Sequence, residues 1–222
     1  MDADTWELIG RNLWPMLVAT VTQTLPLTAI SFVLGLVVAL FVALARISKI
    51  VPLALLARAY VSLIRGTPLL VQLFIVFYAL PQIGLVIDPF PAAVIAFSLN
   101  VGGYAAEVIR AAILSIPKGQ WEAAQTIGMH YATTLQRVIL PQAARTAVPP
   151  LSNTLISLVK DTSLASTILV TELLRVAQLA AAPTFDFFAL YGVAAVYYWV
   201  ICLVLSSAQS RLETRLERYV AR

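Results

Sequence analysis

Residues 12–45 carry no Asp, Glu, Lys or Arg, and four further uncharged runs follow at 66–87, 89–106, 146–159 and 187–210. No other feature constrains the fold as strongly. A helix crosses the roughly 30 Å of bilayer hydrocarbon with about 20 mostly apolar residues at about 1.5 Å each. Sixty per cent of the residues are hydrophobic and 12% are charged, about half the charge of a soluble domain. Such a chain is not disordered, not a disulfide scaffold and not an ordinary soluble enzyme. The lone Cys202 cannot form an intrachain disulfide, and a net charge of +4 is no case for nucleic acid.

The runs predict about five transmembrane helices in a single all-α membrane domain over 1–222. The first run exceeds one crossing, so 24–45 is read as the span. Residues 12–24, with Trp14, Pro15 and several hydroxyls, are read as lying at an interface. Asp2, Asp4 and Glu7 precede the apolar segment, so no cleaved signal peptide is expected. At the second run only 13 residues, Pro68 to Leu80, precede Pro81, about 20 Å of helix. The second span therefore includes 53–64 and breaks near Arg65-Gly66-Thr67-Pro68, where proline removes a donor and disfavours helix before it. Ser31, Gly35, Ala39 and Ala43 recur every four residues and predict close approach of another helix.

Basic residues set the expected orientation. With the N-terminus outside, Arg46, Lys49, Arg58, Arg65, Arg110, Lys118, Arg137, Arg145, Arg211, Arg215, Arg218 and Arg222 lie in the cytoplasm, and only Arg11, Lys160 and Arg175 lie outside. Cytoplasmic loops carry the Lys/Arg excess. The last four residues of that set are read as a solvated stop after the final helix, with an anionic-lipid patch as the alternative.

The segment 111–145 does not belong in hydrocarbon. Pro117 suits a helix start, and Glu122, Ala123, Ala124 and Gln125 suit a helix interior. Gly128 suits the left-handed residue that ends the helix, and a second short helix over 131–140 is expected to stop at Pro141. Two readings of this helix–Gly–helix elbow stay open on physical grounds: a docking surface, or an amphipathic pair lying on headgroups.

Glu122-Ala123-Ala124, Gly128, Val138 and Leu140-Pro141, at their spacing, resemble the EAA loop of bacterial ATP-binding-cassette importer permeases, which favour Ile where Val138 stands. Arg65-Gly66-Thr67-Pro68-Leu69-Leu70 looks like that family's second-helix pattern. Ser98-Leu99-Asn100 with Tyr104-Ala105-Ala106-Glu107 looks like its third, and Ser157-Leu158-Val159-Lys160-Asp161-Thr162-Ser163-Leu164 like its fourth. Together these are similar to polar amino acid permeases of the histidine/glutamine type, over about 20–216. Ile116-Pro117-Lys118-Gly119-Gln120-Trp121-Glu122 and Pro149-Pro150-Leu151-Ser152-Asn153 look nearest to cystine permeases.

The resemblance implies a MetI-like permease architecture in a bacterial cytoplasmic membrane, with 117–141 as the coupling loop. It implies docking of Glu122, Ala123, Ala124, Gly128, Leu140 and Pro141 on a cytoplasmic ATPase dimer. Ala123 and Ala124 would offer a small-residue surface, and Glu122 would sit at the positive end of its helix. An extracytoplasmic amino-acid-binding protein is the implied outer partner. The partner within the bilayer is a second copy or a similar permease. No cofactor is implied. No G-x-x-x-x-G-K-[S/T] is present, so ATP hydrolysis is expected in the partner and not in this chain.

Ionisable residues at membrane depth are costly and point to function. A fourth helix starting at Pro150 puts Asp161 about 16 Å along, near the midplane; a start at Pro141 puts it about 30 Å along. The two prolines favour Pro150. Adjacent Lys160 points away and snorkels, leaving Asp161 to meet a substrate ammonium, to pair with Arg110 or Arg175, or to stand as a helix-end charge. Lys160, Thr162, Ser163, Asn100 and Tyr104 complete the candidates for a substrate path, with a bond to a neighbouring helix as the alternative for Asn100. Glu107 and Arg110 are spaced to pair. His130 reads as a surface residue, Cys202 as a small hydrophobe, and Tyr197, Tyr198 and Trp199 as packing aromatics. A stand-alone channel or secondary transporter is the competing reading, but no inverted repeat supports it. A membrane-embedded enzyme would need clustered catalytic residues, and the charges here are scattered.

Overall fold

The computed structural model describes residues 3–217, all of whose regular elements are helical. Arg218 and Arg222 of the basic tail, and Asp2, lie outside the described residues. Eight helices are distinguished among the described residues: α1 (Asp4–Ile47), α2 (Val51–Gly66), α3 (Leu69–Ile83), α4 (Pro89–Leu114), α5 (Lys118–Thr126), α6 (Tyr131–Ile168), α7 (Leu173–Ala181) and α8 (Phe187–Glu217). α1, α4 and α8 are each long and apolar enough to cross a membrane. α2 with α3, bent by 107°, and α6 with α7, bent by 49°, bring the spans to as many as five.

Prolines shape these helices in a regular way. Wide π-turns at Thr20–Thr24, Ile75–Ala79 and Leu135–Ile139 each end two residues before a proline: Pro26, Pro81 and Pro141. Proline lacks the donor and crowds the carbonyl four residues back. A locally wider turn moves that carbonyl aside, so the helix continues. Two expectations are corrected. The elbow's second helix does not stop at Pro141, and the fourth span does not start at Pro150. α6 runs unbroken through Pro141, Pro149 and Pro150. In a bilayer, uncoiling there would expose more unpaired backbone than the prolines themselves leave. Ser152 and Thr154 return hydroxyl hydrogen bonds to the carbonyls of Val148 and Pro150, at 2.9 and 3.0 Å.

Residues 12–24 do not form an element of their own. They are part of α1, with Met16, Ala19, Thr20 and Thr24 buried. Met16 packs with Leu173, Ala177 and Ala181 of α7 and Leu190 and Ala194 of α8. That cover buries one face of the stretch, while Leu13, Trp14, Leu17, Val18 and Val21 stay exposed. α7 itself goes unforeseen, because its charges, Glu172 and Arg175, mask it as loop.

The small-residue stripe does as expected. Ser31, Gly35, Ala39 and Ala43 are all buried, and α1 lies along α4. A β-carbon at Gly35 would sit 2.5 Å from Val101, and one at Gly102 would sit 2.7 Å from Val38. On its other side α4 admits α2: a β-carbon at Gly103 would meet Ile64 at 2.5 Å. α4 is thus gripped from two sides, and its remaining face is left for a polar cavity.

Candidate functional site

A cavity of about 410 Å³ opens between α4, α6 and the break after α2. α6 contributes Asn153, Ser157 and Asp161, spaced every four residues and so on one helical face. α4 contributes Asn100 and Tyr104, and the break contributes Thr67. Asn100 and Tyr104 lie about 16 and 22 Å from the first residue of α4, so the polar floor sits deep in the span. The span also continues past Asp161 as a tight 3-10 turn, Thr162–Ile168, before the bend into α7.

Of the sequence candidates, Asn100, Tyr104 and Asp161 meet on this cavity. Lys160, Thr162 and Ser163 do not line it. Lys160 is exposed. Thr162 is fully buried and donates to the Val159 carbonyl at 2.6 Å, while Ser163 donates to that of Lys160 at 2.7 Å. Neither Arg110 nor Arg175 is within ion-pairing distance of Asp161, and among the described residues its carboxylate has no ion-pair partner. Arg110 is held instead by Glu107, which also binds Arg46.

The break that exposes Thr67 to the cavity is closed by a residue the sequence reading passed over. Gln72 Nε2 donates to the carbonyl of Ile64 at 2.8 Å and to that of Thr67 at 3.1 Å. These are carbonyls that the end of α2 leaves without helical partners. Asn100 Nδ2 in turn donates to Gln72 Oε1 at 3.0 Å. Asn100 therefore bonds a neighbouring helix while also facing the cavity.

A second buried site was equally invisible. Glu172 is fully buried and caps α7, accepting from the backbone N–H groups of Leu174 at 2.9 Å and Arg175 at 2.7 Å. Tyr198 donates to the same carboxylate at 2.7 Å, and Thr24 accepts from the Leu173 N–H at 3.2 Å. Three separated stretches converge there, and only the fold brings them together.

The elbow is built as the Gly128 reading requires. Gly128 has φ +80°; its N–H bonds the Gln125 carbonyl at 2.9 Å and the Met129 N–H bonds that of Ala124 at 3.0 Å. This pair of bonds is the Schellman ending of α5. Trp121 stacks on Tyr131 with centroids 5.4 Å apart, clamping α5 to the start of α6. Glu122 and Ala123 are exposed, but Ala124 is buried against the chain itself, so the exposed small surface is Ala123 alone. Glu122 is the fifth residue of α5 and lies beyond its first turn, so the macrodipole favours it less than expected. Ile127, 77% exposed at the corner, is an apolar contact the sequence did not single out. Leu140 is partly buried in the cluster beneath the elbow, and Pro141 is exposed.

A broken-helix bundle with a deep polar cavity and a projecting helix–Gly–helix elbow defines a membrane transport subunit. Residues 44–218 match the family described as binding-protein-dependent transport system inner membrane component, and the chain belongs to that family. It is a multi-pass membrane protein of the inner-membrane permease class. It is 58% identical over 218 residues to the L-cystine transport system permease protein TcyB of Bacillus subtilis (strain 168), covering 98% of this chain and 93% of that one. It is 36% identical over 204 residues to the arginine transport system permease protein ArtQ of the same organism, covering 91% and 93%. The solved structure described as an amino acid ABC transporter with histidines superposes with a TM-score of 0.88 at 36% identity, over 97% of this chain and 100% of that one. The MetNI methionine ABC transporter, inward facing, shares the fold at a TM-score of 0.71 and 21% identity, over 97% and 99%.

Proposed function

We propose that this chain is the permease of an ATP-driven importer for polar L-amino acids, with L-cystine as its preferred cargo. The 58% identity to a cystine permease, across nearly the whole of both chains, carries the choice of cargo. The cavity supports it chemically. Asp161 offers an unpaired carboxylate to an ammonium, and Ser157 offers a hydroxyl on the same cavity. An ATPase pair docks on the elbow through Glu122, Ala123 and Ile127, and an amino-acid-binding protein delivers substrate at the opposite face. The cavity is open along one side, which favours a bilayer partner, a second copy or a similar permease, that completes the path. The whole of 1–222 acts as one permease unit. The Lys/Arg distribution supports an elbow in the cytoplasm and an N-terminus outside.

The test is uptake of radiolabelled L-cystine by vesicles holding the chain with its ATPase and binding protein. ATP-dependent accumulation that is lost when the chain is omitted is expected. Accumulation without ATP would instead support a secondary transporter.

A further inference from the structure

The Asp161 cavity does not end at Tyr104. On the elbow side of that ring lies a second cavity, of about 530 Å³, lined by Arg46, Arg58, Ser62, Arg65 and Glu107. Tyr104 belongs to both cavities, and the Arg65 guanidinium carbon sits 5.5 Å from the centroid of its ring. The two chambers share one wall, and their charges are opposite. The first holds a carboxylate with no ion-pair partner. The second gathers three arginines around one Glu107, and that carboxylate is already bound by Arg46 and by Arg110. Arg58 and Arg65 have no ion-pairing carboxylate among the described residues.

The two chambers are strung on one helical face. Asn100, Tyr104, Glu107 and Arg110 are spaced four, three and three residues apart, within about 120° of arc on α4. The polar stripe that floors the first cavity thus runs on into the second. Every member of the proposed substrate class carries both an ammonium and a carboxylate. An acidic chamber and a basic chamber in series, divided by one aromatic ring, match that pairing.

We propose that Arg58 and Arg65 form an anion subsite for the substrate α-carboxylate on the elbow side of Tyr104. Glu107 acts as a positioning residue: it holds Arg46 and Arg110 to the side, so the free positive charge is that of Arg58 and Arg65. Tyr104, with Arg65 over its face, is the divider the substrate passes. A lipid phosphate offers the same anionic chemistry, and the experiment separates the two. This subsite rests on the transport reading above for its cargo but not for its charge.

The first readout needs no cargo. In a Cys202→Ala background, Ser62→Cys reports on the basic chamber and Ser157→Cys on the acidic one. Both are labelled with anionic and cationic methanethiosulfonate reagents in the assembled permease–ATPase complex. The anionic-to-cationic rate ratio is expected to be at least about tenfold higher at Ser62→Cys. Arg58→Gln with Arg65→Gln should bring it down to the Ser157→Cys value, while Arg65→Lys should keep it. Equal ratios at the two positions overturn the subsite.

The second readout is uptake in liposomes of phosphatidylcholine alone and with phosphatidylglycerol added. Arg65→Gln is expected to raise the KM for L-cystine about tenfold in both lipids and to leave inhibition by cystine dimethyl ester unchanged. A defect that appears only with phosphatidylglycerol identifies a lipid site and overturns the proposal, as does an equal effect on acid and ester. If the parent assembly takes up no L-cystine, the cargo reading fails, and the labelling ratio still decides the subsite.

Discussion

Asn100 of α4 donates its side-chain amide to Gln72 Oε1 at 3.0 Å, and through that one bond the cavity floor is tied to the broken second span. Gln72 spends its own N–H groups on the carbonyls of Ile64 and Thr67. The break is therefore a closed polar unit, as irregular backbone at membrane depth must be.

Replacing Gln72 with Leu leaves those carbonyls and the Asn100 amide without partners. Each orphaned buried group costs about 1–3 kcal/mol. A lower thermal unfolding midpoint of the detergent-solubilised chain is expected for Gln72→Leu. A smaller drop is expected for Asn100→Leu, which strands only one acceptor. A Gln72→Leu midpoint equal to the parent's would show that the bonds contribute nothing.

The elbow gives a second prediction. No atom crowds the space where a β-carbon would sit at Gly128, so its constraint is conformational: φ +80°. An L-residue there costs about 1–2 kcal/mol, and a β-branched one more. Gly128→Val should distort the corner, leaving insertion intact but uncoupling ATP hydrolysis from transport. Substrate-stimulated ATPase activity at the parent level in this variant would remove the elbow from coupling.

Orientation is checked by labelling in a Cys202→Ala background. Asp88 and Gln120 are both exposed, at opposite ends of α4 and its sequel. Asp88→Cys should react with an impermeant thiol reagent in intact cells, and Gln120→Cys only after lysis. The reverse pattern would place the N-terminus inside.

What could be read in the sequence was local. The stripe Ser31, Gly35, Ala39 and Ala43 announces close packing because only small side chains admit a neighbouring backbone. Gly128 announces its turn because one residue type suits that φ. The break at 65–68 shows in a Gly–Pro pair and in a length deficit. What could not be read depended on distant partners. Pro149 and Pro150 look like a helix start until α6 is seen packed along α4 and running through them. Glu172 looks like a loop charge until Tyr198, 26 positions on, supplies a hydroxyl. Thr162 and Ser163 look as available as Asp161, yet their hydroxyls bond their own turn, and only Asp161 of the three lines the cavity.

The account turns most on Asp161. Asp161 lines the cavity together with Asn100, which lies about 16 Å into α4. A charged side chain at the centre of a span costs about 2.5–3.5 kcal/mol on insertion scales, and no cation lines the cavity to offset this, the neighbouring Lys160 being exposed. A bound ammonium would form a charge-assisted hydrogen bond of about 1.5–3 kcal/mol, roughly 10–100-fold in affinity. The decisive measurement is L-cystine uptake at subsaturating concentration by Asp161→Asn, in vesicles with the ATPase and binding protein. Uptake reduced at least about tenfold, with basal ATP hydrolysis and assembly intact, is the predicted result. Uptake equal to the parent's would contradict a substrate contact at Asp161, and with it the assignment of this cavity as the place where cargo is held.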